Sequence, residues 1–448
     1  MTTEPTGPPP TVRRPELDAI RTLVVVGLVF FHSALVFDTR DDYYVKNADT
    51  TEVTTILAGL GVVWAMPMLF LIAGLGSWYS LRKRGPAGFA VERLLRLGVP
   101  LVFAVLTIIP VPQWLRLRAD PGYHESYLRF LPRFFDVRLD LTDFPFILRG
   151  RYFETGHLWF VVLLLAFSLL LAPLVHWLPR DLGRRVRARL ASTAERRGAI
   201  LLPAVPVAAV SALAGLEEGF AAWSRWAYLL FFLYGFVLAA DERFRTAMRR
   251  DAVPAAVLGT ILFLVGMPGF LVVGDVFGGD PFTDMTPLAI GARILYGATG
   301  WCWLVAILGL LDRRRPAPDT ARGPADDRNQ GRGKERGREQ GRGQSQEQDQ
   351  GRGRGQSREQ GQEQGRGQDR RRGRGRRLYG YLAAAALPLY VLHQPIVVAV
   401  AYGVVGWHAP IPVKYVVIVA VSLTLTVAAY DLLVRRTRVT RSLFGIRG

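Results

Sequence analysis

The sequence predicts an all-α polytopic membrane protein with about ten transmembrane helices, and three observations support this fold class. Half of the 448 residues are hydrophobic. The hydrophobic residues fall into runs close to the roughly 20 residues that an α-helix needs to cross hydrocarbon. Arg and Lys accumulate in alternate connections between those runs, as they do in the cytoplasmic loops of membrane proteins. The predicted spans are 19–37, 53–80, 98–112, 157–178, 199–215, 223–240, 254–274, 288–312, 378–403 and 411–434.

The distribution of Arg predicts a multi-pass plasma-membrane protein with both termini in the cytoplasm. The connections after the second, fourth and sixth helices carry Arg clusters within 82–96, 180–197 and 243–250, whereas most connections on the other side carry few basic residues. Positive charge marks the cytoplasmic side. The connection 113–156 is an exception with seven Arg, but connections of that length contribute less to orientation. Its many aromatic residues predict an ordered cover over the extracytoplasmic mouth.

This topology divides the chain into five segments. The apolar run after residue 16 has no small-residue cleavage site, so it is predicted to be a retained helix rather than a signal peptide. The predicted segments are a disordered cytoplasmic N-terminus at 1–16, helices one to eight at 17–312, a cytoplasmic linker at 313–377, helices nine and ten at 378–434, and a cytoplasmic tail at 435–448.

The linker 313–377 is predicted to be disordered. It holds 20 Lys and Arg against 10 Asp and Glu, and it has no aromatic or aliphatic residue after Ala325, so it cannot bury a core. A binding segment for RNA or anionic lipid is one interpretation. A solvated linker is the preferred one, because the segment has no aromatic rings to stack on bases. We therefore expect no nucleic-acid partner.

The first helix contains three ionisable side chains in otherwise lipid-compatible sequence. An ionisable residue at bilayer depth is costly and is by default a functional candidate. Arg21 and His32 are eleven residues apart, which places them within roughly 20° on one helical face and about 16 Å apart along the axis. Asp18 lies one turn before Arg21 and is predicted to hold its side chain or to cap the helix end.

Two further histidines are predicted to lie in the same outward layer as His32. His157 opens the fourth helix at the outer surface, and His393 lies in the outer half of the ninth. Histidine titrates near neutrality and can act as a general base or as a nucleophile that forms an acyl-imidazole. The alternative for each is a hydrogen bond to a neighbouring helix.

Two arginines are predicted to lie at the cytoplasmic side. Arg93 and Arg96 are one turn apart just before the third helix, and guanidinium groups at that spacing suit a phosphate-bearing ligand such as coenzyme A. The alternative is ordinary positive-inside charge. No Gly-x-Ser-x-Gly or His-Glu-x-x-His motif is present, so serine-hydrolase and metalloenzyme classes have little support and no metal is expected. The single cysteine, Cys302, is predicted to be a packing residue.

These motifs together resemble acyltransferase family 3 of integral membrane acyltransferases. ELDAIRTLVVVGLVFFH is similar to the helix-one signature of that family, an Arg and a His separated by ten residues, and VERLLRLGVP is similar to its Arg-x-x-Arg element. GHLWFVVLLL resembles its His-Leu-Trp-Phe segment, which includes Trp159. LPLYVLHQPI resembles its penultimate-helix motif around His393. The stretch 64–68 and the HLWF segment also resemble the branch that contains glucan succinyltransferases.

The resemblance implies transfer of an acyl group, acetyl or succinyl, from a cytoplasmic acyl-CoA co-substrate to a hydroxyl of an extracytoplasmic glycan or secreted glycoside. It assigns catalysis to His32 and donor-associated roles to Arg21, Arg93 and Arg96. We expect Arg21 to act with His32 as the catalytic pair of the first helix, and Asp18, His157, Trp159 and His393 to assist binding. The chain departs from the family pattern by its Gly/Arg/Gln-rich insertion. Two rivals stay open, a transporter or flippase of a polar or glycosylated molecule and a scaffold that recruits a partner through the linker.

Overall fold

A computed structural model describes residues 15–39, 42–313, 380–381 and 384–446, and its regular structure is almost entirely helical. The helices are α1 (Pro15–Leu35), α2 (Glu52–Arg93), α3 (Val99–Thr107), α4 (Pro110–Arg118), α5 (Tyr127–Phe134), α6 (Trp159–Trp177), α7 (Arg180–Ala194), α8 (Ala204–Ala214), α9 (Arg225–Leu238), α10 (Glu242–Leu271), α11 (Pro287–Arg313), α12 (Ala384–Val404), α13 (Ile411–Ala429) and α14 (Arg438–Leu443).

Eight helical stretches of the described residues are long and apolar enough to cross a membrane. One of them, Glu52–Arg118, is 67 residues long, and it breaks at Gly85, whose φ of 70° lies in the region that glycine tolerates best. The shorter apolar helix Ala199–Ala214 adds another segment. Counting the two parts of Glu52–Arg118 separately gives ten apolar segments. The prediction of an all-α polytopic membrane protein is therefore confirmed.

The third predicted span begins too late in the chain. Helical structure resumes after Gly85 and continues through a π-helical turn, Leu94–Gly98, into α3. Arg93 and Arg96 therefore lie within the helix and not before it. Hydropathy misses this start because the first turns contain charged residues. The helix accommodates Arg93 and Arg96 because Glu92 lies within 3.8 Å of both guanidinium groups and compensates their charge.

The connection between α3 and α6 is ordered, as predicted. It contains α4, α5 and a two-stranded antiparallel hairpin, β1 (Val137–Leu139) and β2 (Leu148–Gly150). Phe130 and Phe134 on α5 are fully buried. Arg149 bridges Asp140 and Asp143 between the strands, at 3.3 and 3.2 Å. Ring packing and ion pairs thus hold a segment that hydropathy alone would describe only as a loop.

Helix α2 is the centre of the packing around the site. Gly74 faces α9 so closely that a Cβ there would lie 1.9 Å from the Phe232 carbonyl oxygen. A Cβ at Gly235 of α9 would lie at the same distance from the Leu71 carbonyl oxygen. Small residues allow this approach between membrane helices. Further along α2, the Phe70 ring stacks on the Tyr228 ring at 4.5 Å. Thr51 caps the start of α2 through its side chain.

Helix α12 packs against α1 and α13. Val397 and Val398 of α12 share one apolar cluster with Val29 of α1, Phe37 after it and Ile418 of α13. The chain divides into a compact unit, Met1–Leu310 with Leu382–Gly448, and a second unit, Leu311–Tyr381. All predicted site residues belong to the first unit. The disorder predicted for the N-terminus and for the linker concerns residues outside the described ones, apart from Pro15 and Glu16, which begin α1, and Arg313, the last residue of α11.

Candidate functional site

Three histidines from distant parts of the sequence meet in one cluster. His32 lies near the end of α1, His157 just before α6 and His393 in α12. The ring centroids of His32 and His393 are 5.1 Å apart, and those of His157 and His393 are 5.0 Å apart. The sequence placed these three residues in one layer, and the structure brings them into contact. We refer to them as the histidine cluster.

His393 is fully buried and has one fixed and one open nitrogen. Its Nδ1 lies 2.6 Å from the Tyr390 carbonyl oxygen. A carbonyl only accepts, so Nδ1 carries the hydrogen and Nε2 of the neutral ring has a lone pair. Nε2 is buried and has no hydrogen-bond partner among the described residues. The ring is therefore arranged to accept a proton at Nε2.

His157 is bonded at both nitrogens and serves to join α6 to α12. Its Nε2 lies 3.1 Å from the Val391 carbonyl oxygen, so Nε2 carries the hydrogen. Its Nδ1 lies 2.6 Å from Oε1 of Gln394. An oxygen cannot donate, so with the hydrogen on Nε2 the Gln394 amide must be turned to present its N–H to Nδ1 at this position. The Tyr390 hydroxyl donates to the His157 carbonyl. These bonds leave His157 a positioning role beside the other two rings.

His32 is held by rings and keeps an open nitrogen. The Tyr43 ring stacks on it at 5.9 Å, and Phe31 contacts it edge-on at 5.1 Å. Its Nδ1 is buried without a hydrogen-bond partner in the described part of the chain. The side chain as a whole is partly exposed. His32 and His393 therefore present open nitrogens from adjacent rings. Nowhere among the described residues do three His, Cys, Asp or Glu side chains form a metal-holding group.

Arg21 lies about 16 Å from His32 along α1 and is held from two sides. Its guanidinium donates to the Asp18 carboxylate at 3.4 Å and to the Ile72 carbonyl oxygen of α2 at 3.2 Å. The predicted contact between Asp18 and Arg21 is thus present. About a third of the Arg21 side chain stays exposed, so it can still meet a ligand.

Arg93 and Arg96 differ in their surroundings. Arg93 is largely buried, donates to the Ser77 hydroxyl at 3.2 Å and lies over the Phe89 ring at 4.9 Å. Arg96 is 48% exposed. Glu92 lies 3.8 Å from each, which offsets part of their positive charge. Arg21 and Arg93 bond Ile72 and Ser77 on the same part of α2, and Arg96 shares Glu92 with Arg93. We call these three arginines the arginine cluster.

Trp159 lies apart from both clusters. Its ring stacks on Tyr228 at 5.3 Å and contacts Phe220 at 5.4 Å and Phe70 at 6.4 Å. The structure therefore places Trp159 in the aromatic packing between α2, α6 and α9. The other predicted site residues fall into the histidine cluster and the arginine cluster, with Asp18 beside Arg21.

Five residues at the histidine cluster were missed by sequence reasoning. Tyr390 and Gln394 flank His393 in the sequence LYVLHQ, and their proximity to a candidate histidine was the available signal. Tyr43, Tyr44 and Glu154 come from connections outside the membrane helices, where hydropathy carries no information about contacts.

A comparison with family models identifies the family of the chain. The family model described as an acyltransferase domain matches residues 14–317, which contain both arginine-cluster helices, His32 and His157. His393 lies beyond the matched residues. Neither a curated protein nor a solved structure matches the chain. The match covers more than half of the sequence, and the residues that it spans include the ionisable positions on α1 and α2 described above, so this membrane protein belongs to acyltransferase family 3.

Proposed function

We propose that this membrane acyltransferase moves an acetyl or succinyl group from a cytoplasmic acyl-CoA to a hydroxyl of an extracytoplasmic glycan or secreted glycoside. The observation that carries the proposal is the two-ended arrangement of α1. Arg21 at one end joins a basic group, and His32 at the other end joins rings with open nitrogens. A phosphate-bearing donor fits the first end and proton transfer fits the second.

The arginine cluster suits the phosphates of coenzyme A. Guanidinium groups bind phosphate oxygens with charge-assisted, often bidentate hydrogen bonds. The positive-inside distribution of charge in the sequence favours the cytoplasmic side for these arginines, where acyl-CoA is made. Coenzyme A carries its thioester at the end of a long flexible arm. Phosphates held at Arg93 and Arg96 would let that arm extend along α1 towards His32.

The histidine cluster supplies two chemical routes. In the direct route, His32 takes the hydroxyl proton while the alcohol oxygen attacks the thioester carbonyl, the C–S bond breaks and the imidazolium returns the proton to the thiolate. In the covalent route, His32 attacks the thioester, its N–H proton passes to the departing thiolate, and an acyl-imidazole forms. The alcohol then displaces the imidazole. Its proton passes to Nε2 of His393 and from there to the departing nitrogen of His32, which restores both neutral rings.

The test is acyl transfer by the full-length protein in proteoliposomes that also contain a membrane and glycan extract of the host. His32→Ala should lower transfer of label from [14C]acetyl-CoA by about 10²–10⁴-fold, at saturating donor and unchanged abundance. His176→Ala is the matched control, because His176 is an exposed histidine at the far end of α6. A loss below tenfold would contradict the catalytic role of His32.

The same preparation separates transfer from transport. Label that moves from acetyl-CoA onto an extracted molecule supports the acyltransferase. Movement of an unmodified glycoside across the vesicle membrane, without any labelled product, would instead favour the flippase. Comparing surface glycans and secreted metabolites by mass spectrometry with and without the gene would identify the acceptor.

A further inference from the structure

A carboxyl group without a role so far lies three residues before His157 and bonds Tyr44, whose ring contacts Tyr43 at the histidine cluster. This residue, Glu154, lies near the end of the extracytoplasmic connection, two residues before Gly156, which begins the turn that leads into α6. Its Oε1 accepts a hydrogen bond from the Tyr44 hydroxyl at 2.5 Å. Burial, partly offset by this hydrogen bond and by the nearby Arg116, raises the pKa of Glu154. Burial and the neighbouring carboxylate raise the pKa of Tyr44 far above 10, so its hydroxyl stays a donor. Arg116 is itself paired with Asp42.

Gly156 connects this carboxyl to the histidine cluster. It has a φ of +49°, and a Cβ there would lie 3.2 Å from the Tyr44 hydroxyl and 3.5 Å from the Gln394 amide atom that contacts His157. The Tyr44 hydroxyl and the amide that contacts His157 thus both border the position that a side chain at Gly156 would occupy. A side chain would fill the space between them, so glycine keeps the Tyr44 hydroxyl next to Gln394.

A second connection runs through aromatic rings. The Tyr44 ring meets the Tyr43 ring edge-on at 5.4 Å, and Tyr43 stacks on His32. The two tyrosines therefore join the carboxyl of Glu154 to His32, while Gly156 and Gln394 join it to His157. Both paths start outside the membrane-spanning helices and end at the histidine cluster.

We propose that Tyr44 and Glu154 form the binding site for the hydroxyl-bearing acceptor, with Glu154 accepting a hydrogen bond from an acceptor hydroxyl. This inference rests on the proposed function and adds the location and chemistry of the acceptor site. An ionised carboxylate has about four lone-pair sites and only accepts, which suits the donor hydroxyls of a polyol. Oε1 is used by Tyr44, whereas Oε2 has no hydrogen-bond partner within residues 15–39, 42–313, 380–381 and 384–446.

This placement explains why a carboxyl is partly buried at the outer end of the molecule. A hydroxyl bound at Oε2 would be oriented by a charge-assisted hydrogen bond, which is stronger than a neutral one. A second hydroxyl of the same polyol could then reach the open nitrogens of His32 and His393. Glu154 is thus a binding residue in the proposal, and the proton transfer stays with the histidines.

The experiment uses a strain that lacks the gene and carries the full-length wild type or a variant, with the acylated product measured by mass spectrometry. Glu154→Gln keeps the size of the side chain but loses its charge, and it should lower product formation about 10-fold to 100-fold, as expected for a lost hydrogen bond to a charged group. Asp136→Asn is the matched control, because Asp136 is an exposed carboxylate in the same connection.

The outer pH distinguishes binding from a structural role. Glu154 accepts hydrogen bonds best when ionised, so wild-type product formation should fall as the outer pH drops through its raised pKa. This decrease at low pH, the acid limb of the pH profile, should be absent in Glu154→Gln. In Tyr44→Phe the limb should move to higher pH, because the lost hydrogen bond no longer lowers the pKa of Glu154. A purely structural loss would not move the limb.

The outcomes separate this inference from the proposed function. If the wild type forms no acylated product, the proposed function fails and the acceptor site falls with it. If the wild type forms product and Glu154→Gln behaves like Asp136→Asn, only the acceptor site is wrong. If Glu154→Gln does not reach the membrane, the position of the acid limb in Tyr44→Phe decides, and an unchanged limb overturns the inference.

Discussion

The contact between α2 and α9 gives a stability prediction of defined size. A Cβ at Gly74 would lie 1.9 Å from the Phe232 carbonyl oxygen and 2.9 Å from the backbone nitrogen of Phe236, whereas ordinary contacts are 3.4–4 Å. Both opposing atoms belong to backbone, so no rotamer change relieves the overlap. Gly74→Ala must push the two helices apart by about 1.5 Å, and overpacking of this kind costs roughly 1–3 kcal/mol.

The chain carries its own reporter for this measurement. Cys302 is the single cysteine and is buried in α11, so a thiol-reactive fluorogenic dye reads unfolding as that thiol becomes accessible. The melting temperature of Gly74→Ala should fall by about 2–4 °C for each kcal/mol. Gly61→Ala is the control on the same helix, because a Cβ at Gly61 meets nothing within 4 Å.

The same variant should also affect the arginine cluster. Helix α2 supplies the Ile72 carbonyl and the Ser77 hydroxyl that hold Arg21 and Arg93, and both flank Gly74 in sequence. A displaced α2 should therefore weaken donor binding as well as stability. Gly74→Ala melting at the wild-type temperature, or Gly61→Ala falling equally, would show that the close contact of α2 with α9 is not what limits stability.

Three further predictions follow from the charged segments. Arg93→Lys should raise the apparent KM for acetyl-CoA more than Arg96→Lys does, because Arg93 is held by Ser77 while Arg96 is half exposed; equal effects would argue against a fixed phosphate site. A reporter fused after Arg441 should behave as cytoplasmic, and a periplasmic-type signal would reverse the predicted topology. Replacing residues 318–370 by a shorter Gly/Ser segment should leave acyl transfer largely intact, whereas its complete loss at normal membrane abundance would favour the scaffold interpretation.

The sequence predicts the helices well because they depend on the regular spacing of apolar residues. The apolar runs gave the spans, and the eleven-residue interval gave the two ends of α1. Arg93 lies within a helix, whereas the sequence predicts that it lies just before one. Its charge is compensated by Glu92, and hydropathy does not register this pairing. Tyr44 and Glu154 could not be predicted together, since they lie 110 residues apart in loops without periodicity.

The bonds of His157 make the site a composite of two separate parts of the chain. His157 belongs to the segment matched by the family model, but its hydrogen-bond partners, Val391 and Gln394, lie far beyond residue 317. Without α12, two buried polar atoms of His157 would lose their partners, at roughly 1–3 kcal/mol each. The matched segment therefore does not contain the whole histidine cluster. A protein split in the linker could regain its site only by reassociation of its two fragments, at a rate and extent set by their effective concentration in the bilayer.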